Sequence, residues 1–237
     1  MQKIICGNTM DVLNREDLGM FDAVITDPPY ACGGNLAEKQ QATALKYTGT
    51  KRNCPLPDFA GDSMDQRAWT HMMRQVFEAA RRRCNPGAVI AVFIDWRNMG
   101  ALTDALQWAG WLLRGVAVWD KLSSRPQRGR FRQQAEFIVW GSNGALPMHR
   151  EVPCLPGVFR GVNVQGAERI HQTQKPMEVM RDVVKICIPD GRILDPFVGS
   201  GTTLVAAEAE GHDGVGIEVL PAIAAAAAQR LGVEVKK

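Results

Sequence analysis

The chain has 237 residues, of which 46% are apolar and 22% charged, with a formal net charge of +3. Those values exclude a disordered or fibrous chain and fit one large α/β domain with a real core. No apolar run reaches membrane-span length, and the opening MQKIICGN lacks a signal pattern, so a cytoplasmic protein is expected. The six cysteines show neither CxxC nor zinc spacing to a histidine, so reduced thiols and no metal are expected.

Apolar runs at 3–7 and 21–27 read as the first two strands. The second, FDAVITD, leads straight into DPPY, which is Asp27, Pro28, Pro29 and Tyr30. A residue before proline is confined to extended conformations and proline fixes its own φ, so this strand exit is stiff. Segment 31–61 is polar and remains unassigned; loops of such length are usually functional. Stretch 65–84 places Trp69, Met72, Met73, Val76, Phe77 and Ala80 at helical spacing and stops at Asn85-Pro86-Gly87.

Strands follow at 88–95, 112–121 and 135–141, with a helix at 98–109 after the first of them. Segment 142–174 is rich in glycine and proline and again remains unassigned. A helix at 176–188, strands at 192–195 and 214–218, and helices at 202–211 and 221–231 complete the chain. Alternating strands and helices imply a mostly parallel sheet covered on both faces.

Charge is unevenly placed. From Lys121 to Arg169 eight basic residues accompany three acidic ones, and the run SSRPQRGRFRQ holds Arg125, Arg128, Arg130 and Arg132 around Phe131. Such a region on a near-neutral body suits contact with a polyanion. Arginines there would chiefly meet phosphates.

The stretch RILDPFVGSGTT at 192–203 reads as strand, glycine turn and helix start. Ligands of open α/β sheets sit beyond the carboxyl ends of the strands, where small glycines and free helix N–H groups admit them. A phosphate-binding loop would need a lysine after the glycines, and a dinucleotide fingerprint would need glycine where Leu204 stands. Asp195 ends this strand and Glu218 the next. An acid suits an ammonium group, and a second acid suits two ribose hydroxyls, so S-adenosylmethionine fits better than NAD or ATP.

DPPY at 27–30, HQTQKP at 171–176 and DPFVGSGTT at 195–203, in that order, resemble the β group of DNA amino-methyltransferases, whose chain is permuted. The DPPY form resembles the adenine-N6 members. The resemblance implies a single domain: a seven-stranded, mostly parallel, Rossmann-like methyltransferase sheet with one reversed hairpin strand at an edge. It implies a catalytic half at 1–121, a small target-recognition insertion at about 122–170 and a cofactor half at 171–237.

It also implies the roles of individual residues. S-adenosylmethionine would lie against Asn8, Asp27, Thr173, Lys175, Asp195, Phe197, Gly199, Ser200, Gly201, Thr202 and Glu218, with Lys175 near the methionine carboxylate. Asp27 and the Pro28 carbonyl would hold the adenine amino group, and Tyr30 would stack on the flipped base. The small recognition segment implies a short or permissive DNA target. A homodimer, as in relatives of this group, and a cognate restriction enzyme are compatible with the sequence, which shows neither. Other readings are methylation of cytosine N4, or of an RNA or protein amide, and an idle nucleic-acid-binding subunit.

Overall fold

The computed structural model describes residues 1–30, 64–123, 126–162 and 175–236. Among these residues nine strands form one sheet in the order β6-β4-β5-β3-β2-β7-β8-β1-β9. They are β1 (Gln2–Cys6), β2 (Phe21–Thr26), β3 (Cys84–Ile94), β4 (Leu112–Asp120), β5 (Ala135–Ser142), β6 (Val158–Arg160), β7 (Arg192–Asp195), β8 (Asp213–Glu218) and β9 (Val235–Lys236). The helices are α1 (Thr9–Leu13), α2 (Gln66–Arg82), α3 (Met99–Trp108), α4 (Met177–Val184), α5 (Thr202–Ala209) and α6 (Pro221–Leu231).

All seven expected strands are present, but the count of seven was short by two. β6 lies in the unassigned glycine- and proline-rich segment, where three residues pair in parallel with β4. β9 is two residues long and pairs with β1 at the opposite edge. Runs this short carry too little periodicity to register in sequence. Only β5 is antiparallel to its neighbours, and it lies between β4 and β3 rather than at an edge.

β3 also starts earlier than expected. Phe21 pairs with Cys84 and the register then jumps to Ala23 opposite Val89. The breaker Asn85-Pro86-Gly87 is thus absorbed as an irregularity inside the strand, where the proline needs no ladder bond. The short helix α1 had no expectation behind it; Asn8 caps it by accepting from the Met10 N–H.

β2 and β3 are buried almost throughout, because helices cover both faces of the sheet. Helix α2 is capped by Asp65, which accepts from the N–H groups of Arg67 and Ala68. Its stripe of Trp69, Met73, Val76, Phe77 and Ala80 packs into a core with Leu18, Phe21, Leu102, Leu106 and Trp111. On the other face Val179, Met180, Val183 and Val184 of α4 pack with Ala206, Ala207, Ile25, Phe93 and Trp119. The buried indole N–H of Trp111 donates to the Phe77 carbonyl and that of Trp119 to the Gly161 carbonyl. Cys6, Cys84, Cys154 and Cys187 are free thiols. No helix among the described residues is long and apolar enough to cross a membrane.

The chain runs from β2 outward to β3 and from β7 outward to β8, on opposite sides of the β2–β7 seam. That seam is a topological switch point, the place where such sheets open a crevice beyond their strand ends. Beside it, β8 depends on close approach. A Cβ at Gly216 would meet Val198 Cγ2 at 2.6 Å and Leu204 Cδ1 at 3.0 Å. Gly216→Ala is therefore expected to lower stability by about 1–3 kcal/mol, read from urea unfolding.

Candidate active site

Parallel pairing of β2, β7, β8 and β1 brings their carboxyl ends to one edge of the sheet. Along that edge stand Asp27, Asp195, Glu218 and Asn8, in the order of their strands. Thr26, the residue before DPPY, touches Asp195 across 169 positions of sequence: Thr26 Oγ1 donates to Asp195 Oδ1 at 2.6 Å. Asp195 is only 1% exposed and also accepts from the Phe197 N–H at 3.0 Å. Burial pushes its carboxyl up to about 6, against the opposing pull of hydrogen bonds from Thr203, Thr26 and Phe197.

After Asp195 the chain makes a tight turn. The Val198 N–H donates to the Ile217 carbonyl and the Gly201 N–H to the Val198 carbonyl. Gly199 has φ 50° and Gly201 φ 81°, both in the left-handed region that favours glycine. A Cβ at Gly199 would have only the Phe197 carbonyl near it, at 4.0 Å, so a ligand can approach this backbone closely. Ser200 and Thr202 are buried, and Arg230 of α6 donates to the Ser200 carbonyl and to Thr202 Oγ1. Glu218 is half-buried and accepts from the Leu220 N–H, and burial raises its carboxyl. Asn8 is exposed just beyond β1.

DPPY is braced by two hydrogen bonds from outside the motif and one within it. The Trp69 indole donates to the Pro29 carbonyl at 2.7 Å, and the Asn98 amide donates to the Tyr30 carbonyl. The Tyr30 hydroxyl donates to Asp27 Oδ1 at 2.5 Å. Among the described residues no donor reaches the Pro28 carbonyl.

Lys175 is 6% exposed, and its ammonium lies among protein groups. It lies 2.7 Å from Asp27 Oδ2, 3.3 Å from Glu136 Oε2 and 3.0 Å from the Tyr30 hydroxyl. The physical reason is that a buried cation needs carboxylates nearby. Burial alone would push the Lys175 ammonium down, but Asp27 and Glu136 outweigh it and hold it above the usual lysine value. Burial raises Asp27, partly offset by Lys175, whereas Lys175 and Lys121 outweigh burial at Glu136 and hold it low.

The DNA-contact residues expected from sequence are not among these contacts. Arg128, Arg130 and Arg132 are exposed between β4 and β5, and Phe131 is 100% exposed there. Arg125, Thr173 and the loop at 31–61 lie outside the described residues. Sequence reasoning passed over Trp69, Asn98, Lys121, Glu136 and Arg230. Of these only Glu136 left a signal, as an acid near the start of the apolar strand AEFIVWGS.

Replacing Lys175 would leave Asp27 and Glu136 as two buried acids without their shared cation. Lys175→Met is expected to cost about 3–5 kcal/mol. A carboxyl raised in the folded state favours folding only while protonated, so the deficit should shrink as pH falls through that raised value. Denaturant unfolding across a pH series measures both effects.

Comparison with known proteins agrees with this geometry. The sequence profile of the N6_N4_Mtase family, described as DNA methylase, matches residues 21–152 and 154–229. YubD of Escherichia coli (strain K12), a methylase by name, is 28% identical over 233 residues, covering 98% of this chain and 90% of its own. The solved M1.HpyAVI–SAM complex superposes with a TM-score of 0.72 at 21% identity, covering 98% of this chain and 100% of that one. The cytosine-N4-specific PvuII DNA methyltransferase also gives 0.72, at 17% identity, over 97% of this chain and 86% of its own. With a motif-bearing edge of this form and a family profile that spans most of its length, the chain belongs to the N6/N4 DNA methylases.

Proposed function

We propose that this DNA methylase transfers the methyl group of S-adenosylmethionine to N6 of an adenine turned out of a DNA duplex. The observation that carries the reading is the Thr26–Asp195 hydrogen bond, which sets the DPPY tip directly beside the glycine turn. The chain order, DPPY strand before cofactor turn, supports the permuted β group. An acid opening the tetrapeptide favours adenine over cytosine N4.

The residues present fit the cofactor. Glu218 at one strand tip suits ribose hydroxyls, and Asp195 at the next suits an ammonium. Strand spacing puts β8 and β2 about 10 Å apart, room for an extended nucleoside-linked amino acid between Glu218 and Asp27. Gly199 and Gly201 let that ligand lie on backbone, with Phe197 at the turn. Asn8 lies at the next strand end, suited to an adenine edge. Thr173, just before Lys175 in sequence, belongs to the same reading. When bound, this cofactor supplies an electrophilic methyl on a sulfonium.

The remaining chemistry belongs to the chain. The lone pair of an adenine amino group is delocalised into its ring. Asp27 and the Pro28 carbonyl accept its two hydrogens and turn the lone pair outward. Both prolines hold that geometry in advance, which lowers the entropy lost on reaching the transition state. Asp27 then stabilises positive charge as it develops on N6. Tyr30 offers its ring to the base. The target atom is inaccessible in a stacked duplex, so the base must leave the stack. Arg128, Arg130 and Arg132, with Arg125 in the same run, would hold the phosphates.

The test is incubation with labelled cofactor and DNA followed by mass spectrometry of the nucleosides. N6-methyladenine is expected, and N4-methylcytosine as the product would overturn the assignment of the base. Asp27→Ala should lower kcat by about 10²-fold or more.

Cofactor affinity should also fall as pH drops through about 6, where Asp195 takes up a proton. The limiting slope is about tenfold per pH unit. Isothermal titration would show it, and Asp195→Asn should bind weakly with that pH dependence gone.

A further inference from the structure

The ion pair between Asp27 and Lys175 continues into the sheet. Glu136 Oε2 is the second carboxylate oxygen on Lys175, and Glu136 Oε1 accepts from Lys121 Nζ at 3.0 Å. Four charges therefore form one line: Asp27 after β2, Lys175 ahead of α4, Glu136 in β5 and Lys121 after β4. The rings of Tyr30, Phe93 and Trp119 surround the Lys175 ammonium at 5.2, 5.3 and 5.9 Å.

Glu136 is only 9% exposed, in a strand that is otherwise apolar apart from its terminal Ser142. An acid there is no asset to the core, since an apolar side chain of similar volume is often as stabilising as a buried ion pair. Its Oε2 is buried and, among the described residues, makes no hydrogen bond of good geometry, although the ammonium is close. Toward Lys175 this oxygen thus acts as a charge more than as a hydrogen-bonding group, while Oε1 keeps its hydrogen bond from Lys121.

That charge bears on Asp27. A carboxylate that alone neutralises a buried ammonium is a weakened acceptor. Glu136 divides the ammonium between two acids and makes the four-residue line neutral. Without Glu136 the line carries one net positive charge, next to a pocket that takes in a sulfonium and builds positive charge on nitrogen.

Resting on the function proposed above, we propose that Glu136 is a positioning residue for methyl transfer: by sharing Lys175 it keeps the Asp27 carboxylate fixed and free to accept from the substrate amino group. The other charged or titratable groups facing this point are few. Tyr30 donates to Asp27, Asp195 lies across Thr26, and Asp95 at the end of β3 acts on Tyr30. Tyr30 also touches Lys175, at 3.0 Å, but as a neutral hydroxyl, and neither Asp195 nor Asp95 pairs with Lys175 as Glu136 does.

Glu136→Gln keeps the shape and removes the charge. In single-turnover and steady-state assays, kcat should fall by on the order of tenfold, with KM for DNA and cofactor nearly unchanged. The acidic limb of the kcat profile should move to lower pH, because the negative charge that raises Asp27 is gone. Glu136→Asp should restore part of the rate. Thermal melts identify the folded fraction of each variant. A folded Glu136→Gln with wild-type kcat and an unmoved acidic limb would overturn this inference alone. So would a loss of rate that tracks only the unfolded fraction. An inactive wild type would instead overturn the functional reading, and this inference with it.

Discussion

The site rests on the parallel pairing of β2 with β7. The parallel ladder sets Ala23 opposite Ile193 and Val24 opposite Leu194 in register. Because both strands run the same way, the residues that follow them emerge side by side. Thr26 and Asp195 then close the seam with a side-chain hydrogen bond. A one-residue slip would turn every side chain of β2 to the opposite face and would separate Thr26 from Asp195. The burial of β2 on both faces makes such a slip costly, since FDAVIT has almost no exposed position.

Around that seam the protein keeps several charged groups away from water. Asp27, Lys175 and Glu136 lie together under aromatic rings, and Asp195 is almost fully enclosed. Desolvating so many charges is unfavourable on stability grounds alone. It is offset by pairing within the cluster and by hydrogen bonds to backbone and hydroxyl groups. The same arrangement suits a pocket meant to handle developing positive charge, where fixed dipoles and charges act more strongly than in water. Arg128, Arg130 and Arg132 lie on an exposed segment between β4 and β5, where their charge remains hydrated. Under the function proposed above, methyl transfer and phosphate contact fall to different dielectric environments.

Much of the frame was legible in sequence. The seven longer strands announce themselves as apolar runs, and α2 announces itself through its stripe of Trp69, Met73, Val76 and Phe77. DPPY and DPFVGSGTT could be read because proline and glycine restrict or free the backbone locally, which is a property of the residues themselves. β6 and β9 were not legible, because two or three residues acquire strand geometry only from a neighbour's ladder. Nor was the entry of Asn85-Pro86-Gly87 into β3, since a local breaker signal was overruled by pairing with Phe21.

The site divides in the same way. Its acids at strand tips, Asp27, Asp195 and Glu218, follow from sequence once the strands are placed, because a strand end fixes where its last side chain stands. The partners of Lys175 do not. Sequence places it before a helix and says nothing of what a buried ammonium will find. Glu136, 39 positions away, reaches it only because β5 runs backward between β4 and β3. Short-range backbone chemistry was therefore determined by the sequence alone, and the charge line behind Asp27 was decided by tertiary structure, since a buried ion is neutralised by whichever carboxylates the fold brings within reach.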